Sequence, residues 1–465
     1  MRLLPVMGLL LALTATCAAQ TPLNELTTGQ YQGFPGGLYA ASNEPPPAQA
    51  TAARSALAQV VPRDTTGAAE PMGSIGLISI GMSNTSQEFR WFERLEDANP
   101  LRHASLVFIN GAIGSHPSEF WADPQHQAWS TAEARVAAAG LSPSQVQVAW
   151  IKLARGSVPD LRFPQHAMQL RDDLRAVVRN AKVRFPNLRV AWLSSRIWGG
   201  WSSNPQRNEP LSYETAFAVR WLIEDQVAGD PLLSPVEAPV LLWGPYLWAA
   251  GASPRADGLD WPLSDFEPDA IHPNDAGERK AAALLSQFFN TDAIAAPWYR
   301  GSSASRLLRF EVNADATVDQ AQPSINFGAQ SALRLNGAAG TIARSYLRFD
   351  VQALDRVPSH ALVRGLLGST VQPLLRQTSD AWSESTLTFS TAPGPSGAEL
   401  GTLASFGDSF VLSVGSALAQ PQAMLNLVMF TPSTSPGVLR SRESGDGPYL
   451  LVRVASDSIF TSGFE

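Results

Sequence analysis

From about residue 74 the chain alternates short, wholly apolar runs with longer amphipathic stretches. The runs at 75–80, 105–109, 146–151, 189–193 and 240–243 have the length and flanking pattern of strands buried on both faces. Between and after them, 130–139, 165–184, 213–228 and 275–290 carry a helical period. In the second of these, Met168, Leu170, Leu174, Val177 and Val178 recur at helix spacing. Fully apolar strands alternating with helices predict an α/β domain over about 74–298, a parallel sheet covered by helices in three α/β/α layers. The rhythm breaks at 299–305, which reads as a linker. Beyond it, Val318, Tyr346-Leu347-Arg348-Phe349, Leu362-Val363, Leu387-Thr388-Phe389, Phe410-Val411-Leu412, 425–430 and 449–454 are spaced by Gly, Ser and Pro turns. With no helix-period segment among them, an all-β sandwich is expected over about 306–455, followed by a tail at 456–465. Residues 20–73, rich in Pro, Ala, Gly, Thr and Gln, predict an irregular arm.

The chain has 465 residues, enough for two or three domains with cores of their own. Its 34 basic and 41 acidic residues give a net charge of −7, and no Lys/Arg-rich run is present. That balance excludes the phosphate-neutralising surface expected of a nucleic-acid-binding protein. Only 16% of residues are charged, and 35 Gly with 35 Pro make the chain loop-rich. Arg2, an apolar run from Leu3 to Leu13 and the small residues Thr14-Ala15-Thr16-Cys17-Ala18-Ala19 form a secretory signal peptide over 1–19, too short to span a membrane. The expected location is secreted, either extracellular or periplasmic. Cleavage after Ala19 removes Cys17, the one cysteine, and with it disulfides, thiol catalysis and Cys-ligated metals. Lipid attachment at Cys17 is the rival reading, which Thr14-Ala15-Thr16 fit poorly. No later run reaches about 18 apolar residues, so no membrane span is expected.

Two stretches carry chemistry. At the end of the first strand, Ile80-Gly81-Met82-Ser83-Asn84-Thr85-Ser86 puts a serine at the carboxyl edge of the sheet, beside the N–H groups of a starting helix. A serine there is also an ordinary helix N-cap. Far along the chain, Pro268-Asp269-Ala270-Ile271-His272-Pro273-Asn274-Asp275 sets Asp and His three apart on a turn before a helix. An imidazole is what a serine hydroxyl needs to lose its proton, and a carboxylate fixes the imidazole's tautomer. His103, His126, His166 and His360 have no comparable setting, while His116, after the second strand, could line the cleft.

With these blocks in this order, residues 74–298 resemble the SGNH (GDSL-type) hydrolases. The resemblance implies a flavodoxin-like fold, ester hydrolysis, and a catalytic set of Ser83, Asp269 and His272. It also implies an oxyanion site formed by the Ser83 N–H and a second-block N–H within Asn110-Gly111-Ala112-Ile113-Gly114-Ser115, with Gly114 and Ser115 as the alternatives. Two positions depart from the family pattern. Met82 stands where the family has Asp, and the third block, Val148-Ala149-Trp150-Ile151-Lys152-Leu153-Ala154, lacks the family's Asn donor. Lys152, one of three lysines, either replaces that donor as a cation or pairs with a carboxylate. Arg196, Trp198 and Trp201 after the fourth strand and Tyr246 after the fifth are candidate substrate-binding residues, suited to a sugar ring and its polar groups, or else they pack the loops. No further His, Asp and Glu spacing calls for a metal, and no cofactor is required.

In the second half, Ala314-Asp315-Ala316-Thr317-Val318-Asp319, Asn326-Phe327-Gly328, Leu333-Arg334-Leu335, Ser345-Tyr346-Leu347-Arg348-Phe349-Asp350 and Trp382-Ser383-Glu384-Ser385-Thr386-Leu387-Thr388-Phe389 resemble the DNRLRE-type module. That module is carbohydrate-binding-module-like, and the resemblance implies polysaccharide binding. The last residues, 459–465, resemble a short terminal tag of secreted bacterial proteins. The combined expectation is a secreted serine esterase acting on carbohydrate (acetyl) esters and tethered to polysaccharide by its accessory domain. The alternative is a non-catalytic carbohydrate-binding or surface protein on a decayed hydrolase scaffold, which the missing Asn keeps open. If the leader is processed as read, N-terminal sequencing of exported protein begins at Gln20; an unprocessed Met1 or a lipidated Cys17 would contradict it.

Overall fold

The computed structural model describes residues 20–301 and 303–456. The expected signal peptide with Cys17, and the tag-like residues 459–465, lie outside the described residues. Among the described residues no helix is long and apolar enough to cross a membrane.

The strands of the first domain are β1 (Ile75–Gly81), β2 (Leu106–Ile109), β3 (Val146–Lys152), β4 (Val190–Leu193) and β5 (Val240–Trp243). They form one parallel five-stranded sheet in the order β2-β1-β3-β4-β5, the flavodoxin-like order. The principal helices are α1 (Pro47–Leu57), α2 (Ser83–Glu96), α3 (Gln127–Ala138), α4 (Gln165–Arg184), α5 (Leu211–Val227) and α6 (Asp275–Thr291). Successive strand residues point to opposite faces. Leu77, Phe108, Trp150, Trp192 and Leu242 enter a core with α1, α2 and α6, while Ile78, Ile109, Ile151, Leu193 and Leu241 enter another with α3, α4 and α5. The expected three layers are therefore present, and the two-sided burial explains why the strands are apolar throughout.

The arm at 20–73 is less irregular than its composition predicts. Gln30–Tyr31 and Phe34–Pro35 pair as a short hairpin, and Pro47–Leu57 is a helix. Proline suits the first turn of a helix, where its missing N–H would have had no partner. Ala50, Ala53, Ala56 and Leu57 then make a buried stripe that the Pro/Ala-rich composition conceals. The arm covers edge strand β5: the Trp243 indole donates to Leu38 O at 2.6 Å and the Trp243 N–H to the Tyr39 hydroxyl at 2.9 Å.

The second domain is antiparallel. Its strands are β6 (Ser305–Asp319), β7 (Ala332–Leu335), β8 (Ala343–Asp350), β9 (His360–Leu366), β10 (Leu374–Thr378), β11 (Pro395–Leu400), β12 (Ser409–Ser413), β13 (Met424–Phe430), β14 (Gly437–Arg440) and β15 (Tyr449–Ala455). Eight run in the order β11-β10-β13-β8-β6-β15-β9-β12, and β14 pairs with β7. Strand β6 pairs with β15 through its first half and with β8 through its second, so two half-sheets share it. Leu347, Phe349, Leu425 and Leu427 of one half and Val363, Leu412, Leu450 and Val452 of the other lie in a common core. Leu387-Thr388-Phe389, expected as a strand, is a turn region instead. Leu387 drops into a separate small core with Tyr346, Trp382 and Val428, and its carbonyl accepts from Asn326 Nδ2 at 2.8 Å.

The expected linker does not hold the domains apart. Tyr299 is fully buried in the first domain and its hydroxyl donates to Glu96 Oε2 at 2.7 Å. Across the junction Arg364 of β9 donates to Glu93 Oε1 at 3.1 Å and to Phe108 O at 2.7 Å, with its Nε 3.0 Å from Asp97 Oδ2. All three charged side chains are at most 4% exposed. Asp97 also receives the Tyr449 hydroxyl and the Arg102 guanidinium, and Glu93 receives Ser409 Oγ. Burial works to lower the Arg364 pKa, but Asp97 and Glu93 outweigh it and hold the guanidinium firmly charged. Removing one member of a buried ion network strands the others without compensation. Arg364→Ala should therefore cost about 3–5 kcal/mol in chemical unfolding of the full chain; an unchanged unfolding curve would contradict the role given to this residue.

Candidate active site

Strand β1 ends at Gly81, where a Cβ would lie 2.3 Å from Thr85 Oγ1, so the first turn of α2 closes over a position that only glycine fits. The Thr85 hydroxyl donates to Lys152 O at 2.7 Å, joining the start of α2 to the end of β3. Ser83 is thereby held at the N-terminus of a 14-residue helix that no side chain caps. Its Oγ lies 2.8 Å from His272 Nε2, and His272 Nδ1 lies 2.6 Å from Asp269 Oδ2. An ionised carboxylate accepts only, so Nδ1 carries the proton and Nε2 is the acceptor facing the hydroxyl. Asp269 Oδ1 accepts the N–H groups of Ile271 and His272 at 2.9 and 3.0 Å. Burial works to raise the Asp269 pKa, but these bonds and the imidazole outweigh it and hold the carboxyl below its usual range. Asn84 Nδ2 donates to Ile271 O at 3.1 Å, fastening the turn to the helix. The three residues named from the sequence are thus brought together, with His272 about a third exposed, at 32%.

The loop after β2 comes up beside them. Ile113 N–H donates to Gly81 O at 3.0 Å, and Arg135 Nη1 donates to Asn110 O and Ala112 O, both at 2.8 Å. A Cβ on Gly114 would meet Ser83 Cβ at 3.8 Å, and Ser115 lines the cavity with a left-handed φ of 61°. His116 holds Gly114 O through Nδ1 at 2.7 Å, beside the cavity and outside its lining.

Ser83 and His272 open into a cavity of about 330 Å³ walled by Leu153, Ala154 and Ile197, with Phe120 on its exposed side. Ala154 presents no side-chain donor there. Lys152 reaches the cavity, but both oxygens of the buried Glu88 hold its ammonium. The carboxylate-pairing alternative describes these contacts. Of the four substrate-binding candidates, Arg196 lines the cavity and Trp198, Trp201 and Tyr246 do not. Trp198 packs on Trp248 with ring centroids 5.6 Å apart, and the Trp201 indole donates to Trp261 O at 2.8 Å. Tyr246 is 5% exposed and its hydroxyl accepts the Leu23 N–H at 3.2 Å. These three aromatic residues pack against the neighbouring loop and the arm instead of over the cavity. Arg207, from a loop, and Phe120, from the short helix Ser118–Ala122, line it without having been singled out in the sequence, since neither stands in a motif of its own.

Comparison with known proteins finds a family-model match within the second domain. Residues 307–453 match the model of carbohydrate-binding module family 96. No curated protein matches the chain. Among solved structures it is similar to a carbohydrate esterase family 3 protein from Talaromyces cellulolyticus, at 14% identity over 45% of this chain and 94% of the other, with a TM-score of 0.28. It is also similar to a Bacteroides fragilis protein classed as an acylhydrolase, at 14% identity over 52% and 97%, again with a TM-score of 0.28.

Within the segment that matches family 96, the carboxylates of Asp315, Glu384 and Glu443 converge, with ligand atoms within 4.8 Å of one another. Arg442 already serves them: its N–H donates to Asp315 Oδ2, and its guanidinium pairs with Glu384 and Glu443. Burial, with Glu443 and Glu384 adding to it, pushes the Asp315 carboxyl from 3.8 up to about 7. A carboxyl raised in the folded state stabilises the fold below its unfolded pKa, and that contribution disappears as pH rises through the folded value. From pH 4 to 7 Asp315 should thus remove on the order of 4 kcal/mol. Asp315→Asn keeps an acceptor for Arg442 and should flatten this decline, leaving the variant more stable than wild type at pH 8; parallel stability–pH curves would count against it.

Proposed function

We propose that the chain is a secreted serine esterase of SGNH type acting on carbohydrate esters, acetyl esters foremost, with the second domain as its polysaccharide-binding partner. The observation that carries the reading is the hydrogen-bonded run Ser83 Oγ, His272 Nε2, His272 Nδ1, Asp269 Oδ2, at 2.8 and 2.6 Å, opening into a cavity. His272 takes the Ser83 proton as Oγ attacks the ester carbonyl, and Asp269 stabilises the imidazolium that forms. The oxyanion is met by the Ser83 N–H at the uncapped start of α2 and by a backbone N–H of Gly114 or Ser115. His272 returns the proton to the leaving alcohol, then deprotonates the water that releases the acyl group. The carbohydrate assignment is supported by the family 96 match, and export by residues 2–19.

One observation favours a second reading, a binding protein on a hydrolase scaffold: Ala154 offers no side-chain donor to the cavity. Loss of one oxyanion donor costs about 10²- to 10³-fold in rate and leaves an enzyme that is slow, not dead. Hydrolysis of 4-nitrophenyl acetate and of acetylated oligosaccharides decides between them. Wild type should turn over, Ser83→Ala should lose at least about 10³-fold, and Asp269→Asn should lose at least about 10²-fold. No turnover by wild type would establish the second reading, and turnover unchanged in Ser83→Ala would remove Ser83 as nucleophile.

A further inference from the structure

Two guanidinium groups line the cavity that holds Ser83 and His272, those of Arg196 and Arg207. Neither forms an ion pair among the described residues. The Arg196 guanidinium makes one hydrogen bond there, a long one of 3.3 Å from Nη1 to Arg207 O. The Arg207 guanidinium donates, among the described residues, only to the carbonyls of Arg155, Gln206 and Gly156. The acidic groups whose charge reaches these arginines are Glu88, Glu209 and Glu119, and each is already engaged. Glu88 is held by Lys152. Glu209 accepts the Gly199 and Tyr213 N–H groups and the Trp248 indole. Glu119 accepts the N–H groups of Gly156 and Ser157. Burial, and then Arg207, bring the Arg196 pKa down to about 10, which leaves it a cation at neutral pH.

Two like charges, each partly withdrawn from water and facing only carboxylates that are already committed to other donors, gain from a ligand that supplies a further negative charge. Leu153, Ala154 and Ile197 make the neighbouring wall apolar, so an anion entering here would meet the arginines in a medium that strengthens the attraction. A guanidinium presents paired donors in a plane, the arrangement that matches the two oxygens of a carboxylate. We infer that Arg196 and Arg207 form a carboxylate-binding wall beside the nucleophile, and that the preferred ester is carried by an acidic sugar, a uronic acid residue or its immediate neighbour. The inference rests on the esterase reading for the meaning of the cavity, but it is tested by binding.

Isothermal titration of the full-length Ser83→Ala chain with digalacturonate and with its dimethyl ester compares one sugar frame with and without its charges. The free acid should bind about 10- to 100-fold more tightly. In Ser83→Ala/Arg196→Gln the two should bind alike, and Arg196→Lys, which keeps the charge but not the fork, should retain part of the preference. Arg207→Gln gives a second, independent loss should Arg196→Gln fold poorly. Equal affinity for acid and ester in Ser83→Ala overturns the inference, as does a preference that survives both glutamine variants. A wild-type chain that binds the acid selectively yet hydrolyses no ester overturns the esterase reading alone.

Discussion

Arg364 extends from a strand of the second domain and holds two carboxylates of the first, Glu93 and Asp97, at the far end of the helix that begins with Ser83. Charges this deeply buried carry a desolvation cost that only a saturated set of partners offsets. Here the set is well filled: Asp97 also takes Arg102 and Tyr449, Glu93 also takes Ser409, and Arg364 spends a further N–H on the carbonyl of Phe108 in edge strand β2. A helix is stiff over 14 residues, so fixing its C-terminal end against the second domain also limits where its N-terminal serine can lie.

The second domain reaches the other side of the site as well. Arg135 donates from Nε to Ser405 O at 2.8 Å while its Nη1 holds the carbonyls of Asn110 and Ala112. The loop that ends in Gly114 and Ser115 is therefore gripped by a residue that the second domain itself grips. This matters because Ala154 offers the cavity no side-chain donor and the ammonium of Lys152 is held by Glu88. Under the proposed mechanism an oxyanion would depend on backbone N–H groups, whose value lies in being aimed before the charge develops. Such donors are as well placed as the loops that carry them, and here both the loop and the helix are braced from outside the α/β domain.

Much of this was legible in the chain. The five strands of the first sheet lie within two residues of their apolar runs, because burial on both faces leaves no polar position to blur them. Ser83, Asp269 and His272 were legible because each stands in a short block whose local geometry, a strand end and a turn before a helix, is itself written in sequence. What a loop does after leaving the sheet edge is set by distant contacts. Trp198, Trp201 and Tyr246 had the right edge and the right chemistry, but packing against Trp248, Trp261 and Leu23 turned them away. Helix α1 was hidden by composition, since alanine and proline read as coil until a sheet face is there to receive the alanine stripe. Arg364 was hidden by its position inside an apolar strand, where nothing local announces two carboxylates from another domain.

The docking also changes what a carbohydrate-binding domain does for its neighbour. A module on a flexible linker raises the local concentration of substrate throughout the volume that the linker sweeps, and it leaves the catalytic cavity free to meet any point on the polymer. A module joined by Arg364, Arg135 and Arg453, the last bonded to Ser74 Oγ and Ser105 O of the first domain, sweeps no such volume. If the second domain binds polysaccharide as proposed, its gain in effective concentration would be confined to polymer segments that reach both the domain and the cavity at the fixed offset. On the proposed function, position along the polysaccharide would then become part of the selection. Loosening the junction would weaken the brace on α2 and on the loop at Gly114, and for the proposed esterase reach and rate would be set against each other by the same buried contacts.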